Sequence, residues 1–283
     1  MPMMPENPVH LPVEKLSLGC PVLDRFLGGG IPFGFVTELA GEASAGKTQL
    51  CLQIVLSAAA PRSSGGLSAA SLFISTEPPF PLRRLLSLSS DAAPLDHIFV
   101  RSAFSSKELF DLLNHVDLLL SLVRHSSDRR IRLLVLDSAA ALFHTDAEDA
   151  VHRSSELFSV AAKLKEQARR FNLAVIVTNH VVDVVDDGSK GPRIGNYMNL
   201  SSSGRKVCPA MGLAWANCVN MRLFLSRSAA EGNVVDIDGC TMLERKLQVV
   251  FAPHLPEGSC KFVIQREGVF GVGNQALIPT SPQ

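Results

Sequence analysis

The sequence predicts an α/β fold: a mostly parallel central sheet flanked by helices, with a C-terminal antiparallel extension. Three observations predict it. Near-continuous apolar runs at residues 35–40, 71–76, 131–136 and 173–177 read as strands buried on both faces, the requirement of a parallel sheet. Helical periodicities alternate with them, most plainly at 108–123, where Leu109, Leu112, Leu113, Val116, Leu119, Leu120 and Val123 recur at helical spacing. Beyond residue 212, three strand-like runs, 217–226, 245–252 and 260–265, follow one another with no helix between them, so that end of the sheet is expected to be antiparallel.

Taken in order, residues 1–14 carry four prolines and form a short extended or disordered lead to a core spanning 15–273, with a tail at 274–283. Residues 16–27 have the spacing of a short helix in which Pro21 fits the first turn, and Gly28-Gly29-Gly30 breaks it. A strand, a glycine-rich loop and the apolar helix beginning at Gln49 come next. Residues 61–66 form a loop and 71–76 a strand ending at Glu77; 81–89 fit a helix and 97–100 a strand. The strand 131–136 leads into Asp137. The helix 155–171 is amphipathic, and the strand 173–177 exits through Thr178, Asn179 and His180. Residues 181–212, rich in Gly, Ser and Asp, read as a long functional or disordered loop, and 236–241 as a surface turn.

With 283 residues, 46% of them hydrophobic, the chain can bury a large core, and its length suits one large domain. Lys+Arg and Asp+Glu both number 27, so no global field announces a nucleic acid or a membrane, and any nucleic-acid contact needs a local patch. The six cysteines form no Cys-x-x-Cys pair and sit largely in apolar runs, which fits a reducing compartment. No apolar run reaches the ~18 residues of a membrane span, so no membrane partner is expected.

The chemistry centres on Gly41-Glu42-Ala43-Ser44-Ala45-Gly46-Lys47-Thr48, followed by Gln49. Glycines at both ends let successive backbone N–H groups turn inward on a polyphosphate, and the following helix N-terminus adds its positive dipole end. Lys47 would reach the β and γ phosphates, and the Thr48 hydroxyl would hold the Mg²⁺ that bridges them, which implies ATP and Mg²⁺ as ligands. Ligands of an open α/β sheet bind outside the carboxyl ends of the strands, so this loop, Glu77, Asp137 and residues 178–180 should face one crevice. Asp137 fits the acidic group that holds the Mg²⁺ shell through water; its bland alternative is a helix N-cap. Glu77 is the candidate base that orients and deprotonates a water, or else a solvated loop end. His180 could report the γ phosphate to a neighbouring loop, or be a satisfied, partly buried histidine. Lys190, Arg193, Arg205 and Lys206, in the long loop, could hold a DNA backbone, or serve solubility alone.

Residues 16–24, 28–32, 37–42, 46–50 and 135–143, in this order and spacing, resemble the RecA-like P-loop ATPase core of RecA-type recombinases. Residues 214–220 and 251–260, with Arg266-Glu267-Gly268-Val269, are similar to those of a eukaryotic recombinase paralogue. The resemblance implies homologous recombination: ATP-dependent binding of single-stranded or branched DNA, repair of double-strand breaks and crosslinks, and meiotic recombination. It implies work in the nucleus, with the cytoplasm as a further location. The partners it implies are another recombinase paralogue, as a heterodimer, and the main strand-exchange recombinase. On it, Glu77 stands at the catalytic glutamate and Arg84 near an arginine that packs on adenine. Residues 144–155 stand at a first DNA loop and 182–209 at a second. His180 departs from the family's usual glutamine, which implies weak hydrolysis.

Two functions remain open at this point, a DNA-stimulated ATPase acting as a recombination mediator and an ATP-binding structural subunit that scarcely hydrolyses. A RecA-like hexameric motor would share the loop but not residues 251–269. Recombinases of this kind polymerise by adding a Phe-x-x-Ala segment to a neighbour's sheet edge. The match at Phe158-Ser159-Val160-Ala161 lies inside a helix, where Phe158 is expected to be a core contact. The chain is expected to accept such a segment and not to donate one.

Overall fold

In this computed structural model the described residues are 14–89, 95–123, 130–143, 150–184, 200–228, 234–237 and 240–273. The chain enters through β1 (Lys15–Leu16), which pairs antiparallel with β2 (Ile31–Pro32) and brackets α1 (Pro21–Phe26). Pro21 occupies the first turn of α1, where its missing N–H costs nothing. The helix is shorter than the periodicity of 16–27 suggests, because Leu16 is already paired in β1.

The main body then alternates. β3 (Val36–Gly41) and α2 (Lys47–Ala59) are followed by β4 (Ala70–Ser75), α3 (Leu82–Leu88) and β5 (Ile98–Ser102). Next come α4 (Ser106–Val123), β6 (Ile131–Asp137), the short α5 (Ala139–Leu142), α6 (Ala150–Phe171) and β7 (Ala174–Asn179). β8 (Val181–Asp183), β9 (Leu200–Ser202), β10 (Arg205–Pro209) and α7 (Gly212–Ala216) lead to β11 (Met221–Arg227). The chain ends in β12 (Val234–Ile237), β13 (Cys240–Leu243), β14 (Arg245–Phe251), β15 (Gly258–Ile264) and β16 (Val269–Gly271).

Among the described residues the principal sheet runs β16-β15-β14-β11-β3-β7-β6-β4-β5. The pairs from β11 through to β5 are all parallel, and those from β11 to β16 are all antiparallel. This is the mixed architecture the sequence predicts.

Strand alternation explains why apolar runs are needed. In β6, Leu133 and Val135 join Leu50, Ile54 and Val55 of α2 in one core, while Leu134 and Leu136 join α4 and α6 in another. A helix therefore covers each face. On α4 and α6, Leu109, Leu113, Val116, Leu157, Val160 and Leu164 are buried, each side chain stabilising the layer by about 1.5–3 kcal/mol.

Phe158 is a correction to the expectation. It is 49% exposed, because Leu157, Val160, Ala161 and Leu164 set the buried stripe of α6 and position 158 lies one step round from it. Of the expected loop 181–212, residues 185–199 lie outside the described residues, and the described parts, 181–184 and 200–212, carry regular structure that their composition does not suggest. β8, β10 and β9 form a three-stranded antiparallel sheet, because Leu200 and Val207 bury against Ala40, Phe224 and Val250 in a third, small core. Residues 236, 237, 240 and 241, expected in a surface turn, are instead paired across β12 and β13, and 238–239 lie outside the described residues. No helix among the described residues is long and apolar enough to cross a membrane.

Candidate nucleotide site

β3 delivers the chain to the phosphate loop at the carboxyl edge of the parallel strands, and α2 leaves from it. Two glycines permit the path. Gly46 has φ +107°, and a Cβ there would lie 2.8 Å from Ile264 Cδ1; a Cβ on Gly41 would lie 2.5 Å from the Leu225 carbonyl oxygen. The loop is thus packed against β11 and β15 as well as capping α2.

Inside its curl, Lys47 Nζ donates to the carbonyls of Gly41 at 2.7 Å and Glu42 at 2.9 Å. Burial lowers the proton affinity of Lys47, and the negative groups of Asp137 and Glu77 oppose that effect. Thr48 Oγ1 donates to Asp137 Oδ2 at 2.7 Å, and Thr178 Oγ1 donates to the other oxygen, Oδ1, at 2.5 Å. Thr48 and Asp137 therefore present a hydroxyl and a carboxylate side by side. These are hard oxygen donors that suit a Mg²⁺ completed by phosphates and water, and among the described residues no cluster of three His, Cys, Asp or Glu offers a different metal centre.

Glu77 follows β4. Its Oε1 accepts from Ser138 Oγ at 2.8 Å and from His180 Nε2 at 2.9 Å. The His180 hydrogen bond is the main influence holding its carboxyl below the usual carboxylate range; burial opposes it, and Ser138 adds to it. Thr76 Oγ1 accepts from the Ser138 N–H at 2.9 Å, which ties the exits of β4 and β6 together.

Arg84, on α3, donates through Nε to Gln49 Oε1 at 2.6 Å and through its terminal nitrogens to the carbonyls of Gln265 and Arg266. The cleft enclosed by these groups has a volume of about 720 Å³ and brings together Lys47, Thr48, Gln49, Glu77, Arg84, Asp137 and His180. Of the loop itself, Ala43, Ser44 and Gly46 line it, while Ala45 is buried in the core.

Glu42 faces elsewhere. Its Oε1 accepts from Ser202 Oγ at 2.7 Å and Ser203 Oγ at 2.5 Å, and its Oε2 from Arg205 at 3.0 Å. Burial alone would raise its carboxyl, but those three donors and the charge of Arg227 outweigh it, and the carboxyl sits below its ordinary value. The phosphate loop is thereby fastened to β9 and β10.

Arg205 also donates to both oxygens of Asp183, at 2.8 and 3.0 Å, so its guanidinium spans β8 and the phosphate loop. Its cationic head is engaged by two carboxylates. Lys206 is exposed on β10. Lys190 and Arg193 lie outside the described residues, as do 144–149 of the first expected DNA loop, whose remainder opens α6.

Beneath the site, Glu38 of β3 accepts from Asn179 Nδ2 at 2.7 Å and from Arg222 Nε at 2.5 Å, with Glu38 and Arg222 both essentially buried. Sequence reasoning missed this pair, and it missed Ser138 and Arg245, which line or support the cleft. A charged residue inside an otherwise apolar strand, as at Glu38 and Arg222, was the available signal for the first. Arg245 carries no such mark, since it sits at the start of its strand.

The family profile for Rad51 matches residues 11–272. The DNA repair protein XRCC3 homolog of Arabidopsis thaliana is 43% identical over 92% of this chain and 93% of its own length. The mouse DNA repair protein XRCC3 is 36% identical over 92% of this chain and 76% of its own. The DNA repair protein RAD51 homolog 1 of Arabidopsis thaliana is 30% identical, covering 91% of this chain and 69% of its own.

Proposed function

The chain belongs to the Rad51 family, and from that premise we propose that it is an ATP-binding, DNA-dependent ATPase. It acts in the nucleus as a mediator of homologous recombination, in double-strand break and crosslink repair and in meiosis. The observation that carries this is the shared Glu77 oxygen: one atom accepts from Ser138, at the exit of β6, and from His180, at the exit of β7. The candidate base is thus bonded to the residue that leads through β8 into residues 185–199. In this reading chemistry at the nucleotide is coupled, through the Glu77–His180 hydrogen bond, to β8.

In this reading Lys47 exchanges its bonds to the Gly41 and Glu42 carbonyls for the terminal phosphates, neutralising their charge. Glu77, kept ionised by its donors, orients the attacking water and takes its proton. The Thr48 hydroxyl and Asp137 would hold Mg²⁺, which when bound would supply electrostatic stabilisation of the charge that develops on the phosphates. Thr178 keeps Asp137 turned toward Thr48. Arg84, braced by Gln49, walls the cleft where the base would lie. Lys190, Arg193 and Lys206 supply DNA-backbone contacts, while Arg205 ties β10 to Asp183 of β8 and to Glu42 of the phosphate loop.

A second reading has its own observation. His180 engages one of the two Glu77 oxygens that could orient a water, which favours a subunit that binds ATP and turns it over slowly. The partner in either reading is another recombinase paralogue, with the main strand-exchange recombinase beside it. It is received at β5, the edge of the principal sheet, beside the exposed Phe99 and Phe104. Single-stranded DNA binding by the purified chain, compared in ATP and in ADP, tests the proposal: tighter binding in ATP is expected, and equal binding in both would remove the coupling.

A further inference from the structure

Arg227, at the end of β11, and Arg245, at the start of β14, are directly opposite one another in the ladder. Like charges so placed repel. Neither is paired with a carboxylate among the described residues. Arg245 is held by carbonyls alone, donating through Nε to Ser44 at 3.4 Å and through Nη1 to Leu243 at 3.0 Å. Burial, with the neighbouring charge of Arg227, lowers its proton affinity.

Arg227 Nε is buried and has no hydrogen-bond partner among the described residues. A buried charged donor left unsatisfied is costly, and here it lies opposite a second guanidinium that carbonyls hold but no carboxylate among the described residues neutralises. The carboxylates within reach have other partners. Glu42 accepts from Ser202, Ser203 and Arg205, adding only its field at Arg227, and Glu244 pairs with Lys261 at 3.1 Å.

The two arginines line a polar cavity of about 510 Å³, together with Ser226, Lys246 and Glu244, the last of which is paired with Lys261. The planar fork of a guanidinium matches phosphate oxygens in pairs, and hydroxyls complete such a shell. We propose that this cavity is a second phosphate-binding site, in which a phosphate group sits between Arg227 and Arg245 outside the phosphate loop. Arg245 also lines the nucleotide cleft, so the two sites share one residue and occupancy of one is expected to alter affinity at the other. The phosphate is either free inorganic phosphate or part of a nucleic-acid backbone. This inference goes beyond the proposed ATPase and does not depend on it.

The test uses the full chain with saturating ADP and Mg²⁺, titrated with inorganic phosphate against chloride at equal ionic strength, and followed by thermal unfolding. A phosphate-specific rise in Tm is expected, lost in Arg227→Gln, reduced in Arg227→Lys, and retained in Lys47→Ala, which instead loses the ADP response. Since Arg227 does not line the nucleotide cleft, an intact ADP response certifies that the Arg227 variants are folded. A parallel titration with an oligo-dT strand distinguishes the source. If the group is a backbone phosphate, Arg227→Gln weakens binding about tenfold and flattens the salt slope by about 0.7. A loss in either arm supports the site. Arg227→Gln and Arg227→Lys both matching the parent in both arms would overturn it.

Discussion

Replacing Arg222 with Met is the most informative single change to the scaffold under the site. Methionine keeps most of the apolar stem that lies by Phe251, whose ring centre is 5.4 Å from the guanidinium carbon, and removes only the charge and donors. It leaves the fully buried Glu38 carboxylate with the Asn179 amide alone. Breaking a buried pair in this way costs about 3–5 kcal/mol, a large share of a total stability of roughly 5–15 kcal/mol. For a chain of this size that is a fall in Tm of about 6–20 °C, at some 2–4 °C per kcal/mol. Pairing the change with Glu38→Leu should recover much of the loss, since no charge is then stranded. The recovery stays incomplete by about 1–3 kcal/mol, because Asn179 Nδ2 loses its acceptor. Urea unfolding of the parent, both single variants and the double variant measures the coupling directly. Arg222→Met costing under about 1 kcal/mol, or single costs that simply add in the double variant, would refute the reasoning.

Three further outcomes follow from the site. Glu42 has a depressed carboxyl, so its bonds to Ser202, Ser203 and Arg205 contribute stability above its ordinary value of 4.5 that is lost as pH falls through the lower, folded value. Glu42→Gln should therefore lower Tm at pH 7 and converge with the parent as pH falls through the folded value, below 4.5; a gap that persists once the carboxyl is protonated in both states would contradict the assignment. Glu77→Gln should still bind ATP but turn it over about 10²–10⁴-fold more slowly, because the amide keeps the shape and loses the base. Equal turnover in the two proteins would take the role of base from Glu77. His180→Gln keeps a donor toward Glu77 while removing the imidazole, and should widen the ATP-versus-ADP difference in single-stranded DNA binding. If that difference stays the same, His180 serves structure alone.

Much of the fold was legible because burial on two faces forces continuous apolar strands, as at 133–136 and 174–177, and because β4, β6 and β7 must place Glu77, Asp137 and His180 at one edge. The phosphate loop was legible for a related reason: glycines at 41 and 46 are required by close neighbours, Leu225 and Ile264, that only the fold reveals. What stayed hidden depends on partners distant in sequence. Leu200 and Val207 look like isolated apolar residues in a polar stretch until Phe224 and Val250 close over them. Arg205 reads as a free cation until Glu42 and Asp183, 163 and 22 positions away, meet it. Phe158 was misjudged because a helix of this length has several apolar positions and only packing decides which stripe is covered.

The proposed function couples nucleotide chemistry at Lys47, Thr48, Glu77 and Asp137 through His180 to DNA binding. ATP turnover by the purified chain, with and without single-stranded DNA and beside Lys47→Ala, tests it most directly. Turnover should rise when DNA is added and vanish in Lys47→Ala. Turnover indifferent to DNA, or surviving the loss of Lys47, would contradict it.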